Sequence, residues 1–524
     1  MRNLLLAGAA LASSAVPLAS AQAAKNVIVM IADGAGYNTL QATRLFTGAP
    51  LTTDGAGWVS VAQSTYPLRT STTPVPGPAG LQQNPNTVYD PAKAWDTTPV
   101  AGNSTVPGFT SFPAGFRGYE WTRATYPDSG NTASTMFTGV KTYNNAINVD
   151  GNGNPVLSLA QVSKGLGKAT GVVSNVQFGD ATPAAAGGAH NVNRGNRAAI
   201  ALEMFGSGTL DLIAGTGNPD YDNDGRLRAT PNYGWMPATL WNDLKTGANV
   251  SGANGADWTL VQDRATIQAL AASADPSITK LAMIAQAFDG TQEYRSAGGG
   301  PDGPNKATYV PFTAPFLTNT PTLTESSLAA LNMLGRDQDG LFLMIEGGGV
   351  DRAMHSDNLG RMIEEYVEFN TAVRNVVDWI GRADTAATWD DTLLIVTADH
   401  DHNLYGPDGN TVPFQDLVNN GVGNLPGHQW FGTSHSNNLI PLFAFGAGST
   451  DIALMADQLD RYTDAQGRTF GRGAYTDQGE LGRYLLATAN LTAGVPEPTT
   501  WGMMLAGFGL LGGAMRRRRA ALTA

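Results

Sequence analysis

Four β-branched, largely apolar runs each end on groups able to hold a cation, and that pairing limits the folds open to the chain. "NVIVMIAD" ends at Asp33, and "TGVVSNVQFGDAT" ends at Asp180 and Thr182. "GLFLMIEGG" delivers Glu346, "TLLIVTADHDH" delivers Asp399 and His400, and "LIPLFAFGAG" follows His435. Runs of β-branched and apolar residues without alternation mark strands buried on both faces. They predict an α/β fold: a largely parallel, doubly wound central sheet with helices on both faces. Such sheets collect functional groups just past the carboxyl ends of their strands. The stretches between fit helices. Met362, Tyr366, Phe369, Val373, Val376 and Ile380 recur three and four apart. Thr322 and Glu325 stand at capping-box spacing. Gly34 and Gly36 permit a tight turn from the first strand into a helix.

Two regions break this rhythm and read as long insertions over one catalytic unit. Residues 66–125 are rich in Pro, Thr, Gly and aromatics and suggest an ordered insertion or lid. Residues 206–318 suggest loops, with Trp235 and Trp241 among them. Both termini look like processing signals. Residues 1–23 have a short basic start, an apolar centre and a small-residue end, the pattern of a secretory leader. Residues 24–490 form the catalytic unit, and residues 491–524 a tail. That tail places Pro496-Glu497-Pro498 before an apolar run and four arginines. It resembles the PEP-CTERM sorting signal, which implies transient membrane engagement, tail removal, and a periplasmic, cell-surface or extracellular location. A permanent tail anchor is the alternative, although the run is shorter than the ~20 residues of a comfortable span.

Composition narrows the chemistry. The 524 residues carry a formal net charge of -12 and no cysteine. An acidic chain is poorly suited to nucleic-acid binding, which needs a basic surface. Without cysteine, disulfides, thiolate metal sites and thiol nucleophiles are excluded. Any metal must sit on His, Asp, Glu and hydroxyl groups. Of six histidines, four lie near carboxylates. Asp351 and His355 are four apart and share a helix face. Asp399 and His400 are adjacent, so both can reach one ion only where the strand has ended and the chain turns. With Asp33, Asp180, Thr182 and Glu346 there are ligands for two or three ions. Zinc accepts mixed His and carboxylate sets, and magnesium prefers oxygens.

The stretch "YPDSGNTASTMFTGVK" offers Ser129 at the start of a helical segment. A helix N-terminus favours an anion, and Gly130 leaves room beside the backbone. A serine hydroxyl is a weak nucleophile that a metal ion can activate. The plainer reading is that Asp128 or Ser129 caps an ordinary helix.

Taken together, "NVIVMIADGAG", "PDSGNTASTMFTGVKTYNNAINVD", "GDATPAAAGGAH", "LMIEGGGVDRAMH", "LLIVTADHDH" and "GTSHSNNLIPLFAFGAG" resemble, in order and spacing, the motifs of the alkaline phosphatase family. The resemblance spans residues 26–447. It implies hydrolysis of small phosphate monoesters through a phosphoserine at Ser129, with two zinc ions and one magnesium. Asp351, His355 and His435 would hold the first zinc. Asp33, Asp399 and His400 would hold the second, with Ser129 reaching it. Asp33, Thr182 and Glu346 would hold magnesium, with Asp180 ordering its surroundings. Arg194 would clamp the phosphate, chosen over Arg197 because it lies four residues after His190. Arg352, His402 and Asp128 would stand behind these groups. A homodimer is compatible with the resemblance.

Three positions depart from the family pattern: Asn131 where a small residue is usual, Ser134 in place of Thr, and one extra residue between Thr182 and His190. None removes a ligand. A phosphodiesterase or sulfatase of the same superfamily, or an inactive surface protein keeping the fold, are the alternative readings. "DYDNDG" (Asp220 to Gly225) looks like the start of a calcium loop, but Pro231 stands where a closing Glu is needed. It is expected to be an acidic turn.

Overall fold

In a computed structural model, residues 24–102, 114–248, 258–382, 385 and 387–491 are described. The expected leader and nearly all of the tail lie outside them. Among the described residues no helix is long and apolar enough to cross a membrane.

Fifteen strands occur in chain order: β1 (Asn26–Ala32), β2 (Val59–Ser64), β3 (Pro99–Val100), β4 (Gly115–Phe116), β5 (Ala169–Gln177), β6 (Leu212–Thr216), β7 (Thr259–Val261), β8 (Leu281–Ile284), β9 (Leu341–Gly347), β10 (Thr392–Thr397), β11 (Asp401–Tyr405), β12 (Gln429–Ser436), β13 (Ile440–Gly446), β14 (Gln458–Thr463) and β15 (Thr469–Asp477). Eleven form one sheet in the order β14-β15-β2-β13-β10-β1-β9-β5-β6-β8-β7. From β10 to β7 every pairing is parallel. The opposite flank is mixed: β13 runs antiparallel to both β10 and β2. β11 and β12 form a separate hairpin that sets His402 opposite His435.

The apolar runs are explained by burial on two faces. Ile28, Met30 and Ala32 of β1 point into one core, and Val27, Val29 and Ile31 into the other. β9 and β10 divide their side chains in the same way. The first core packs under helices Tyr37–Thr47, Leu323–Leu334 and Leu359–Ile380. The second packs under Ser129–Thr138, Ala181–Ala186, Arg197–Gly206 and Gln478–Leu491. The spaced residues Met362, Tyr366, Phe369, Val373, Val376 and Ile380 are all buried in the first core. Each such side chain contributes about 1.5–3 kcal/mol of burial. The predicted capping box forms: Thr322 accepts from Glu325 N, and Glu325 accepts from Thr322 N. Gly34 has φ +74°, and a Cβ at Gly36 would lie 1.5 Å from Asp401 Oδ1. Both glycines are therefore required at the turn after β1.

Residues 206–318 differ from the expected loops. β6, β7 and β8 belong to the central sheet and extend its parallel flank. Strands of three to five residues are too short to show a pattern. The described part of 66–125 is a brace. Tyr89 and Trp95 donate to Asp460 between the sheet edge and this region, at 3.0 and 2.9 Å. Arg123 donates to the Phe431 carbonyl of β12. The "DYDNDG" carboxylates are engaged by the protein itself. Asp220 accepts from Trp241 and Lys245, Asp222 from the backbone of Asp224 and Arg226, and Asp224 from Ser296.

One buried acid lies outside any such network. Glu293 is 1% exposed, and neither carboxylate oxygen has a hydrogen-bond partner. Burial pushes it up to about 8, against the pull of Arg352 and Arg361. Its folded value exceeds the unfolded one. Its contribution to stability is thus complete below about 4.5 and is lost as pH rises through about 8. Glu293→Gln should therefore stabilise the protein above pH 8, by a few kcal/mol at about pH 9, and leave acid stability unchanged. Urea midpoints at pH 5 and 9 check this.

Candidate active site and metal centre

The central strands β10, β1, β9 and β5 are neighbours, so their carboxyl ends deliver Asp399, Asp33, Glu346 and the Asp180–Thr182 turn to one place. β10 stops at Thr397, and the chain turns before β11. That turn lets the adjacent Asp399 and His400 face the same centre. His400 Nε2 lies 3.3 Å from Asp33 Oδ1, 3.2 Å from Asp399 Oδ2 and 3.3 Å from Ser129 Oγ. One ring nitrogen carries at most one proton and cannot satisfy three such neighbours.

Beside it lies a second cluster of Asp351, His355, His402 and His435. The helix Gly349–His355 places His355 Nε2 3.3 Å from Asp351 Oδ2. His402 Nε2 is 2.8 Å from Asp351 Oδ1. His355 Nδ1 donates to the Thr433 carbonyl and His435 Nδ1 to the Pro127 carbonyl. In neutral rings this leaves two Nε2 lone pairs facing each other at 3.0 Å. Lone pairs at that distance repel unless a cation or shared proton lies between them. Backbone carbonyls fixing the far nitrogen are the usual support of a ligating histidine. The rings of His400 and His435 stack at 3.5 Å, so the two clusters adjoin.

Electrostatics point the same way. Burial, then Asp399, Asp351 and Glu346, push Asp33 well above the carboxylate range. Burial pushes Glu346 up to about 8. Burial would also raise Asp351, but the histidines beside it hold it well below the usual range. Burial drives His400 well below its ordinary value, followed by the neighbouring His435, so the ring is neutral as ligation requires. The buried Asp33 Oδ1 and Thr182 Oγ1 have no hydrogen-bond partner. These donors fit cations: zinc suits the His-carboxylate clusters, and magnesium suits the oxygens of Asp33, Thr182 and Glu346.

Ser129 is the first residue of helix Ser129–Thr138 and is 3% exposed. Asp128 caps that helix, accepting from Asn131 N at 2.9 Å, and Asn131 Oδ1 accepts from Asp128 N at 2.7 Å. The departure at Asn131 is thus half of a capping box. Ser134 donates to the Ala146 carbonyl and accepts from Asn148 N. Gly130 also answers to packing: a Cβ there would lie 3.0 Å from Ala146 O.

A cavity of about 160 Å³ opens above Ser129, lined among others by Asp33, Arg194, Arg197, Asp351, Arg352 and His435. Arg194 donates to Asp128 at 3.1 Å and to Asp180 at 2.8 Å. Arg352 donates to Asp180 as well. Burial would raise Asp180, but Arg352 and Arg194 hold it low. The structure brings Asp33, Ser129, Asp180, Arg194, Asp351, Arg352, His355 and His435 around one cavity, with Asp399, His400 and His402 beside them. Sequence reasoning missed three supports. Ser174 donates to Glu346 at 2.5 Å, Thr132 donates to Asp399 at 3.2 Å, and Gly34 N donates to Asp399 at 2.9 Å. Ser174 left no distinct signal, because Thr170, Asn175 and Gln177 of the same strand are polar too.

Comparison with known proteins agrees with this geometry. The alkaline phosphatase family profile matches residues 102–215 and 285–425, and a PEP-CTERM protein-sorting motif matches residues 494–519. Asp33 and His435 fall outside the matched stretches, yet the fold brings both to the centre. The chain is 26% identical to alkaline phosphatase 3 of Bacillus subtilis over 419 residues, covering 77% of this chain and 69% of that one. It is 27% identical to Escherichia coli alkaline phosphatase over 365 residues, covering 64% and 72%. The solved alkaline phosphatase of the Antarctic bacterium TAB5 shares the fold at 18% identity and TM-score 0.55, covering 90% of this chain and 99% of that chain. By these matches the chain is an alkaline-phosphatase-like phosphomonoesterase, and its C-terminus carries a PEP-CTERM sorting motif.

Proposed function

We propose that this protein hydrolyses phosphate monoesters through a covalent phosphoserine on Ser129. One observation carries the reading: Ser129 Oγ sits on a helix N-terminus, against His400 and below the arginine-lined cavity. In this reading Asp351, His355 and His435 hold one zinc. Asp33, Asp399, His400 and Ser129 hold a second, and Asp33, Thr182 and Glu346 hold magnesium. When bound, these ions supply positive charge that activates a hydroxyl and stabilises a departing oxygen.

The chain's own groups do the rest. Arg194 binds two phosphate oxygens with its planar fork, which Asp128 and Asp180 hold in orientation. The N–H groups that open helix Ser129–Thr138 add partial positive charge. Ser129 Oγ forms the bond to phosphorus as the ester oxygen leaves and takes a proton. Water then breaks the serine–phosphate bond, releasing phosphate and restoring the hydroxyl. His402 fixes Asp351, and Ser174 fixes Glu346. Arg352 holds Asp180 from the other side.

Arg194 favours monoesters over diesters: its fork takes two non-bridging oxygens and the cations would take a third, and a diester has only two. Acid-quenching turnover of a labelled aryl monoester should leave phosphate on a peptide containing Ser129, and the matching diester should react far more slowly. Faster diester turnover, or label on another residue, overturns the reading. No turnover from a metal-loaded protein would favour the inactive-scaffold alternative. We infer further that the tail directs export to the cell surface or beyond.

A further inference from the structure

We propose that Arg197 is a specificity-determining residue, binding a second anionic group on the leaving side of the substrate. The inference rests on the phosphomonoesterase reading and deepens it. Three arginines line the cavity over Ser129: Arg194, Arg352 and Arg197. Two are already committed. Arg194 is paired with Asp128 and Asp180, and Arg352 with Asp180. Arg197 has no carboxylate partner among the described residues. Its guanidinium carbon lies 3.8 Å over the ring of Trp235, which is only 3% exposed.

That arrangement is a held but unspent cation. Stacking on a buried indole restrains the guanidinium plane and leaves its N–H edge free. Arg197 is the first residue of helix Arg197–Gly206, one turn along the chain from Arg194. It is exposed at the cavity rim, whereas Ser129 is buried at the floor. A scissile phosphate on Ser129 and Arg194 therefore directs its ester substituent outward, past Arg197. A substituent bearing a carboxylate or a further phosphate meets there a fork with free donors. A neutral substituent gains nothing from it.

The test compares matched aryl monoesters, phenyl phosphate and 4-carboxyphenyl phosphate, in the metal-loaded native protein, Arg197→Ala and Arg197→Lys. Native kcat/KM should favour the carboxylated ester. Arg197→Ala should lower kcat/KM for that ester roughly tenfold and leave phenyl phosphate within about twofold, with the loss in KM. Arg197→Lys should keep part of the preference, since it keeps the charge and loses the fork. Calorimetric binding of phenylphosphonate and 4-carboxyphenylphosphonate reads the same difference without turnover. Equal losses for both ligands would place Arg197 in the phosphate clamp or the scaffold and overturn the proposal, as would no change for either. Absence of phenyl phosphate turnover with the binding difference intact would instead overturn the monoesterase reading alone.

Discussion

Ser129→Ala should lower kcat by about 10⁴-fold or more while leaving the fold intact. The substitution removes one oxygen, whose only side-chain contact is with His400 at 3.3 Å. It leaves the helix cap in place, because Asp128 and not Ser129 accepts from Asn131 N. Alanine is a good helix former, so thermal stability should shift by less than about 1 kcal/mol. What is lost is the atom proposed above to make the bond to phosphorus. Arg194, Asp180 and the Asp351 cluster persist, and the second cluster keeps Asp33, Asp399 and His400, so affinity for inorganic phosphate should remain. Steady-state rates, acid-quench trapping and phosphate binding on the same preparation separate these quantities. Undiminished turnover would remove Ser129 from the mechanism.

Stripping the ions with a chelator should abolish activity and lower the melting temperature as well. Buried carboxylates and histidines face one another at 2.8–3.4 Å around Asp351, and His400 meets three oxygens at the second centre. Without cations the folded state must protonate these groups or bear their repulsion. An ion held at a thousand times its dissociation constant contributes roughly 4 kcal/mol. Losing two should lower the melting point by on the order of 10 °C. Scanning calorimetry before and after chelation, with elemental analysis of the untreated protein, measures both effects. Recovery with zinc plus magnesium, and not with either alone, would support the mixed assignment. A chelated protein that melts unchanged would show that the clusters hold no ion.

The legible parts of this molecule were those where one physical cause dominates. β1, β5, β9 and β10 are buried on both faces, so their residues are mostly apolar, with Ser174, Asn175 and Gln177 interrupting β5. Their acidic ends stood out against that background. β14 and β15 were not visible, because "QLDRYT" and "TFGRGAYTD" form a half-exposed edge hairpin that tolerates charge and glycine. β6 to β8 were hidden by brevity. At the site, candidate ligands could be named from residue type and position. The pairing of His402 with Asp351 could not, because it depends on where the β11–β12 hairpin sets His402. Arg197 was set aside for its distance from His190, and only the cavity shows where it lies.

The site is assembled from opposite ends of the chain. Ser129 meets His400 across 271 residues, and Gly34 N meets Asp399 across 365. Contacts of such long range form late, after the sheet has closed. No nascent or truncated chain ending before His435 can carry a working centre. Catalytic competence therefore switches on once, at the end of folding. If the chain is exported unfolded, it passes through the cell interior as an inert polymer and spares the phosphate esters it meets on the way.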